Sequence, residues 1–498
     1  MIILIEDSDS NMDNRLVKQK SITINLIANG IKTLMSVVFP LITFPYASRV
    51  LGAAGIGKVN YASSIISYFS LFAALGISTY AVREGARIRD DREKFNKFAK
   101  EMLNINLMTT FLSYIVFFVF LCLPILNGYK ELLVIFSVGI VFTTIGMEWL
   151  FIIEEEYAYI TKRAIFFQIV SVILLFLLVK SKDDYGWYAS LTVISSGGSA
   201  ILNFWHSRRY VDWKKKYQCE YKKHIKPILL IFGTSLASSL YMTMDTTMLG
   251  AMKGDTATGI YTAAVKINLV VNTLLNTISS TILPRVSYYL GNGLKDKFCK
   301  LMQASADILF MAAMPIAIGM ICVSDILIVV FSGREFVSGS LAAKILSIKL
   351  VIGAIDRVLA YQICIPYKKE KEVLISTIAG AVFNLFANAI LIHFYNVTGA
   401  AVATLLSEMI VFAVLTMYSK QVFEINLLYK RIPIYFLASV WFLGVRWLVN
   451  MYVSNVVYVL VITISICAIG YFSILLIIRD PYLIEFLKGF FKRIRGNK

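Results

Sequence analysis

Two segments, LGAAGIGKVNYA (residues 51–62) and LGAMKGDTATGIYTA (residues 249–263), decide the architecture of this chain. Each joins two long apolar runs, which are the first and second predicted membrane spans of one half of the protein. Because each half holds an even number of predicted spans, the halves are predicted to be parallel repeats. The matching letters align Leu51 with Leu249, Gly52 with Gly250, Gly57 with Gly259, and Tyr61 with Tyr261.

The composition places most of the chain in lipid. The 498 residues are 58% hydrophobic and only 16% charged, whereas about a quarter of the residues of a soluble domain are charged. Apolar runs of roughly 17–25 residues recur along the chain, and each is long enough to span a bilayer as a helix. They predict an all-α polytopic membrane protein of about 14 transmembrane helices, with two six-helix lobes followed by two C-terminal helices.

The predicted boundaries divide the chain into six parts. These are an N-terminal tail (1–20), an N-lobe of spans one to six (21–206), a basic linker (207–226), a C-lobe of spans seven to twelve (227–418), spans 13 and 14 (433–478), and a basic C-terminal tail (479–498).

The basic residues predict the orientation. Most of the 49 Lys and Arg residues fall in the two tails, the linker and the other even-numbered loops. The positive-inside rule places these segments in the cytoplasm, so both termini are predicted to be cytoplasmic. The formal net charge of +18 is therefore a topology signal that also favours anionic lipid headgroups, and it does not indicate nucleic-acid binding.

The sequence contains no signature of catalysis or of metal binding. Its six cysteines form no CxxC pair and its three histidines share no ligand spacing, so neither a metal site nor a cofactor is predicted. It has no GxSxG, P-loop or HExxH motif, and the predicted external loops are short. A non-enzymatic protein is therefore predicted.

A lysine lies in the middle of the first predicted span. Lys32 shares one helical face with Asn25 and Asn29, because spacings of three and four residues return to the same side of a helix. A charged side chain at the bilayer centre costs about 2.5–3.5 kcal/mol on insertion scales, so it needs water or a partner. The face predicts a water-filled cavity, with a polar seam between helices as the alternative. Pro40 and Pro45 interrupt the same span and are candidates for a gate or for a static kink.

The eighth predicted span has a wide polar sector. It contains Lys266, Asn272 and Asn276, and such a sector cannot face lipid because unsatisfied amides in hydrocarbon are costly. These residues are therefore candidates for the cavity lining. Asp245, in the seventh span, either pairs with Lys266 or couples transport to an ion.

The tenth predicted span has the densest intramembrane charge. Lys349 and Asp356 are seven residues apart and share a helical face, and Arg357 is adjacent. Asp356 is a second candidate for ion coupling. In the predicted interior the cations outnumber the carboxylates, which suits a phosphate or pyrophosphate ligand better than a cation. The predicted cavity cations are Lys32, Lys266, Lys349 and Arg357.

The run FPLITFPYASRVLGAAGIGKVNYASSIISYFSLFAALGISTYAVREGARIRDD (39–91) resembles the N-terminus of Wzx-type O-antigen and polysaccharide-repeat flippases. That family is part of the multidrug/oligosaccharidyl-lipid/polysaccharide exporter superfamily, together with lipid II flippases. The similar pattern is an Arg and Leu-Gly loop, an aromatic-rich second helix, and an Ala-x-Arg-Glu stretch. Its residues here are Arg49, Leu51, Gly52, Gly57, Gly76, Ala81, Arg83 and Glu84.

The resemblance implies the function. A flippase of this type moves undecaprenyl-pyrophosphate-linked repeat units from the cytoplasmic to the outer leaflet of the bacterial inner membrane, by alternating access between two lobes. It implies the lipid-linked glycan and membrane lipids as partners, and a polysaccharide polymerase and a chain-length regulator as candidate partners. A proton or sodium gradient is the candidate energy source.

Two other functions stay in view. A drug or cation antiporter would share the fold, although such proteins rely on acidic cavity residues. A polysaccharide polymerase or ligase needs large external loops to hold its catalytic groups, and the short predicted loops disfavour it.

Overall fold

The computed structural model of the protein describes residues 22–424, 430–484 and 488. The predicted N-terminal tail (1–20) and most of the predicted C-terminal tail (479–498) lie outside the described residues. In the described ranges all regular secondary structure is helical, as predicted. The α-helices are α1 (Ile22–Ala74), α2 (Ile77–Ile88), α3 (Arg92–Leu121), α4 (Lys130–Gly146), α5 (Glu148–Ile153), α6 (Tyr157–Leu178), α7 (Tyr185–Gly197), α8 (Ala200–Ser207), α9 (Lys222–Lys253), α10 (Asp255–Gly291), α11 (Lys295–Ser332), α12 (Ser340–Arg357), α13 (Glu370–Ser419), α14 (Ile432–Val440), α15 (Phe442–Tyr452) and α16 (Val456–Ile477).

Eleven helical stretches in the described part of the chain are long and apolar enough to cross a membrane. Two of the longest helices, α1 with 53 residues and α13 with 50, contain one non-helical residue each, Gly52 (φ 70°) and Asn396 (φ 52°). At about 1.5 Å per residue, each is more than twice as long as the ~30 Å hydrocarbon core and could cross it twice. The exact count of 14 spans stays a prediction.

The two lobes share a hydrophobic core near one end of the molecule. This core joins Phe44, Ala47 and Ile56 of α1 to Leu249 of α9 and Tyr261 of α10. Most of the other buried apolar residues of the described chain fall into three separate clusters, two within the N-lobe and one within the C-lobe. One N-lobe cluster also receives the start of α9, and the C-lobe cluster also receives α14 to α16, which pack against α11.

The predicted linker ends in a helix. α9 begins at Lys222, five residues before the predicted start of the C-lobe at 227, because its basic first turn continues the helix beyond the apolar segment. His224 in this turn is buried, and its ring nitrogens lie 2.8 Å from the Tyr80 hydroxyl and 2.8 Å from the Glu101 carboxylate. The linker is thereby fixed to α2 and α3 of the N-lobe.

Candidate functional site

The span ends whose loops are poor in Lys and Arg are called the outer ends, since they are predicted to be external. Here α1 and α10 pack backbone to backbone. A Cβ at Gly57 would overlap the carbonyl oxygen of Asp255, and a Cβ at Gly259 would overlap that of Ala53. The contact is reciprocal, so the two repeats meet through equivalent residues. We call this contact the outer junction.

The outer junction corrects the predicted alignment of the two repeats. A glycine with a left-handed φ ends the first helix of each pair, Gly52 (φ 70°) in the N-lobe and Gly254 (φ 82°) in the C-lobe. The packed glycine follows five residues later in both, as Gly57 or Gly259. The pairing of Gly52 with Gly250 is therefore wrong, because it followed the Leu-Gly letters, whereas the backbone turn sets the correspondence.

Two side chains, Glu335 and Tyr129, make polar contacts across the lobe boundary beside the outer junction. Glu335, before α12, accepts a hydrogen bond from the Ala53 backbone N–H (3.1 Å) and forms an ion pair with Lys182 (3.3 Å). Tyr129, before α4, donates to the Asp255 carboxylate (2.6 Å). Burial and the bond to Asp255 raise the pKa of Tyr129, so its hydroxyl remains a donor at neutral pH. We call these contacts the outer latches.

The inner halves of α1 and α10 are open. Every residue of α1 from Asn29 to Ser36 is exposed or half-exposed, whereas the outer half of the helix is largely buried. On α10, Asn276 and Thr277 are exposed, whereas most residues between 257 and 264 are buried. Because polar side chains at membrane depth require water or protein around them, this geometry fits a cavity between the lobes.

The inner half of α1 carries the first charged cluster. Lys32 Nζ donates to Glu148 at the start of α5, and Arg163 Nη2 of α6 lies 3.9 Å from the same carboxylate. The Lys32 and Glu148 side chains are 37% and 42% exposed, but the Arg163 side chain is only 5% exposed. We call Lys32, Glu148 and Arg163 the N-lobe triad. Its carboxylate and its lysine are both partly exposed.

The C-lobe contains the second charged cluster. Lys349 lies 3.4 Å from Glu408, which also accepts a hydrogen bond from Tyr241. A Cβ at Gly353 would lie 2.9 Å from Glu408 Oε1 and 3.6 Å from Arg357 Nη1, so these two groups pass over the same glycine. We call Lys349, Glu408 and Arg357 the C-lobe triad.

The predicted asparagines of the eighth span join the C-lobe triad. Arg357 donates through Nη2 to Asn272 and through Nε to Asn276. Asp356, which precedes Arg357 in the chain, is buried beside the Glu408 carboxyl group, and neither of its oxygens accepts a hydrogen bond from a donor among the described residues. A π-helix (Val358–Cys364) follows directly, and such turns are frequent at functional sites.

Asp245 is not paired with Lys266. Its carboxylate accepts hydrogen bonds from the Tyr261 hydroxyl (2.7 Å), the Thr404 hydroxyl (2.5 Å) and the Asn388 amide (2.6 Å). The Asn388 carbonyl oxygen is buried beside it without a partner among the described residues. The result is a buried cluster of oxygens around one carboxylate.

Lys266 instead reaches across the lobe boundary. It lines a cavity of about 120 Å³ together with Pro40, Thr43, Ser171 and Thr192 of the N-lobe. Helix α1 continues through Pro40 and Pro45, and its non-helical residue is Gly52. Asn25 and Asn29 lie on the inner half of α1, half-exposed and exposed respectively.

The sequence did not predict that three charged groups, Glu408, Glu148 and Arg163, lie beside the predicted cavity cations. The interpretation of Glu408 as a residue near a span end was wrong: it lies in the middle of the predicted twelfth span (398–418), where a carboxylate needs a partner. Glu148 and Arg163 lie near predicted span ends, where charged side chains commonly reach the interface, so no sequence signal brings them beside Lys32. With these carboxylates included, the interior is more nearly balanced in charge than predicted.

Comparisons with known proteins agree with this architecture. The family model described as polysaccharide biosynthesis protein matches residues 20–290, and the model described as MatE matches residues 231–390. The chain is 23% identical over 418 residues to the "Putative O-antigen transporter" of Escherichia coli (strain K12), covering 81% of this chain and 97% of that protein. It is 24% identical over 174 residues to the "Probable low-salt glycan biosynthesis flippase Agl15" of Haloferax volcanii, covering 35% and 37%.

Solved structures share the two-lobe fold. The structure titled "Lipid II flippase MurJ, inward closed conformation" aligns with a TM-score of 0.73 at 17% identity, covering 92% of this chain and 99% of that one. An inward-facing multidrug resistance MATE family transporter aligns with a TM-score of 0.62 at 14% identity, covering 82% and 99%. Because the first family model covers more than half of the chain, this protein belongs to the polysaccharide biosynthesis protein family.

Proposed function

We propose that the protein is a flippase for undecaprenyl-pyrophosphate-linked oligosaccharide repeat units of O-antigen or a related surface polysaccharide. It moves them from the cytoplasmic to the outer leaflet of the bacterial inner membrane by alternating access. The observation that carries the proposal is the half-exposed Lys32 on the open inner half of α1, in a molecule whose outer ends are latched. The family and the O-antigen transporter relative support the substrate class.

The cations are proposed to hold the pyrophosphate. Lys32 is proposed as the first contact because its side chain is 37% exposed, compared with 24% for that of Lys349. Lys266 lies deeper between the lobes. Lys349 and Arg357 are more enclosed and take the headgroup after the lobes have moved. Lysine and arginine suit phosphate through charge and directed hydrogen bonds. The amides proposed to contact sugar hydroxyls are those of Asn25, Asn29, Asn272 and Asn276.

Two buried carboxylates are proposed to couple transport to an ion gradient. The Asp245 carboxylate accepts hydrogen bonds from two hydroxyls and the Asn388 amide N–H, and the Asn388 amide oxygen lies buried beside it without a partner among the described residues. The carboxylate can take a proton, and the surrounding oxygens are ligands of the kind that a sodium ion binds. Asp356 is the alternative, since it is a second buried carboxyl group at membrane depth and accepts no hydrogen bond from a donor among the described residues. Replacing Asp245 with Asn should weaken gradient-driven transport and leave substrate binding intact.

The proposed partners follow from the substrate. Membrane lipids are proposed partners because the polyprenyl tail of the substrate lies in the bilayer, and because the basic cytoplasmic loops attract anionic lipid headgroups. A polysaccharide polymerase and a chain-length regulator would receive the translocated unit. Pro40 and Pro45 are proposed to let the inner half of α1 bend as the cavity opens and closes.

Translocation in sealed vesicles tests the proposal. The purified protein is reconstituted with a fluorescent undecaprenyl-pyrophosphate-linked oligosaccharide, and dithionite is added to quench the label in the outer leaflet alone. Vesicles with the protein should lose nearly all fluorescence, and empty vesicles about half, because lipid starts in both leaflets. Protein vesicles that also stop at half contradict the proposal, and accumulation of a cationic dye without lipid movement would favour a drug antiporter.

A further inference from the structure

The N-lobe triad contains one carboxylate between two cations. Lys32 Nζ donates to Glu148 Oε1, whereas Arg163 Nη2 stays 3.9 Å from Glu148 Oε2. The Arg163 side chain is 5% exposed, and its Nε and Nη1 have no hydrogen-bond partner among the described residues. A single carboxylate therefore satisfies the accessible lysine and leaves the buried arginine short of an acceptor.

This arrangement favours a second position for the carboxylate. A charged donor buried without an acceptor is costly, while an ion pair as exposed as Lys32 and Glu148 contributes little. Charge-assisted N–H···O bonds are about 2.7–2.9 Å long, so a shift of roughly 1 Å would give Glu148 a direct bond to Arg163. The shift gives up the bond between Glu148 and Lys32.

We propose that Glu148 is a placeholder for the pyrophosphate of the substrate. In the empty cavity it neutralises Lys32; when pyrophosphate binds Lys32, Glu148 moves onto Arg163. This inference rests on the proposed function. After the exchange both cations have an anionic partner, because the pyrophosphate pairs with Lys32 and Glu148 pairs with Arg163. A weakly charged anion cannot displace Glu148, so the exchange selects for a multiply charged headgroup.

The exchange also links the ligand to the helices of the N-lobe. Glu148 begins α5, immediately after Met147, whose left-handed φ of 40° separates α4 from α5. Arg163 lies on α6. Headgroup binding at α1 therefore tightens the contact between α5 and α6, and Arg163 acts as a positioning residue that holds the displaced carboxylate.

Equilibrium binding of undecaprenyl pyrophosphate to the full-length protein in nanodiscs tests the exchange. Glu148→Gln should bind the probe about fivefold to tenfold more tightly, at the low end of common coupling strengths between sites. Glu148→Asp, whose shorter side chain reaches Lys32 less well, should give a smaller gain. A Lys32→Met background should remove both gains.

A double-mutant cycle tests the role of Arg163. Arg163→Gln should weaken probe binding when Glu148 is present and have no effect in the Glu148→Gln background, since no carboxylate then needs a new partner. Arg163→Lys should restore part of the affinity. A merely structural arginine would instead weaken binding equally in both backgrounds, which would overturn the inference.

The control is Glu154→Gln. Glu154 lies directly after α5, at the opposite end from Glu148, and has an 8% exposed side chain, but its ion pair is with Arg92 (2.7 Å), outside the triad. This variant should bind the probe as the wild type does. If Glu148→Gln binds the probe no more tightly than the wild type and still flips the fluorescent lipid, the exchange proposal is wrong and the flippase proposal stands. If the wild-type protein neither binds the probe nor flips the fluorescent lipid, the flippase proposal and the exchange proposal are both wrong.

Discussion

The two lobes contain the same three charged groups in different surroundings. In the N-lobe triad, Lys32 and Glu148 are 37% and 42% exposed; in the C-lobe triad, Lys349 and Glu408 are 24% and 12% exposed. Glu408 is held further by the hydroxyl of Tyr241. Exposed ion pairs contribute little to stability, whereas breaking an enclosed pair strands a charge. We therefore expect ligand exchange to begin at the N-lobe triad, whereas the enclosed C-lobe triad stabilises the fold until the lobes move and its cations take the headgroup.

The largest expected effect is on the C-lobe triad. Lys349→Met should lower the free energy of unfolding by about 3–5 kcal/mol, the usual cost of breaking a buried pair. The double variant Lys349→Met/Glu408→Gln should recover most of it, because Gln is neutral and still accepts from Tyr241. Thermal melting of the purified protein measures both. Equal melting temperatures for the wild type and Lys349→Met would show that the C-lobe triad is not structural.

The next effect tests the symmetry on which the lobe comparison rests. Gly57→Ala and Gly259→Ala should each cost about 1–3 kcal/mol, since the added methyl overlaps a backbone carbonyl across the outer junction. The two costs should be similar because the contact is reciprocal. Gly139→Ala is the control, as nothing lies within 4 Å of its Cβ position. Melting temperatures that differ strongly between the first two variants would contradict an equivalent role for the lobes.

The outer latches should have a smaller effect. Tyr129→Phe and Glu335→Gln each remove one polar contact across the lobe boundary and should cost about 0.5–1.5 kcal/mol. The readout is labelling of Ala257→Cys, a buried position of the shared core, by a membrane-impermeant maleimide. Exposed Cys122 is replaced by Ser beforehand. Both latch variants should label faster, and unchanged labelling would show that the latches do not hold the outer ends together.

The polar faces of single helices could be predicted from the sequence. The periodicity of α10 and α12 put Asn272, Asn276 and Arg357 in one interior, and the structure joins all three directly. That agreement has a simple cause: a polar residue at membrane depth must face protein or water, and the helical repeat gives its direction.

Partners across helices could not be predicted in the same way. Glu148 pairs with Lys32 and lies near Arg163 because α6 packs against α1 and α5 packs against α6. The spacing of side chains within one helix does not predict such packing between helices. The repeat alignment failed for a related reason: the matching Leu-Gly letters aligned Gly52 with Gly250, whereas the backbone residue equivalent to Gly52, with a left-handed φ, is Gly254.

Flipping by Lys32 variants tests the central claim most directly. Lys32→Met should flip the fluorescent undecaprenyl-pyrophosphate-linked oligosaccharide at least about tenfold more slowly than the wild type, a barrier change of roughly 1.4 kcal/mol. Its stability should fall by less than about 1 kcal/mol, since the pair with Glu148 is exposed. Lys32→Arg should retain most activity, and Lys162→Met, an exposed lysine on α6, should be unchanged. If Lys32→Met flips at the wild-type rate, the N-lobe triad is not where the substrate headgroup binds.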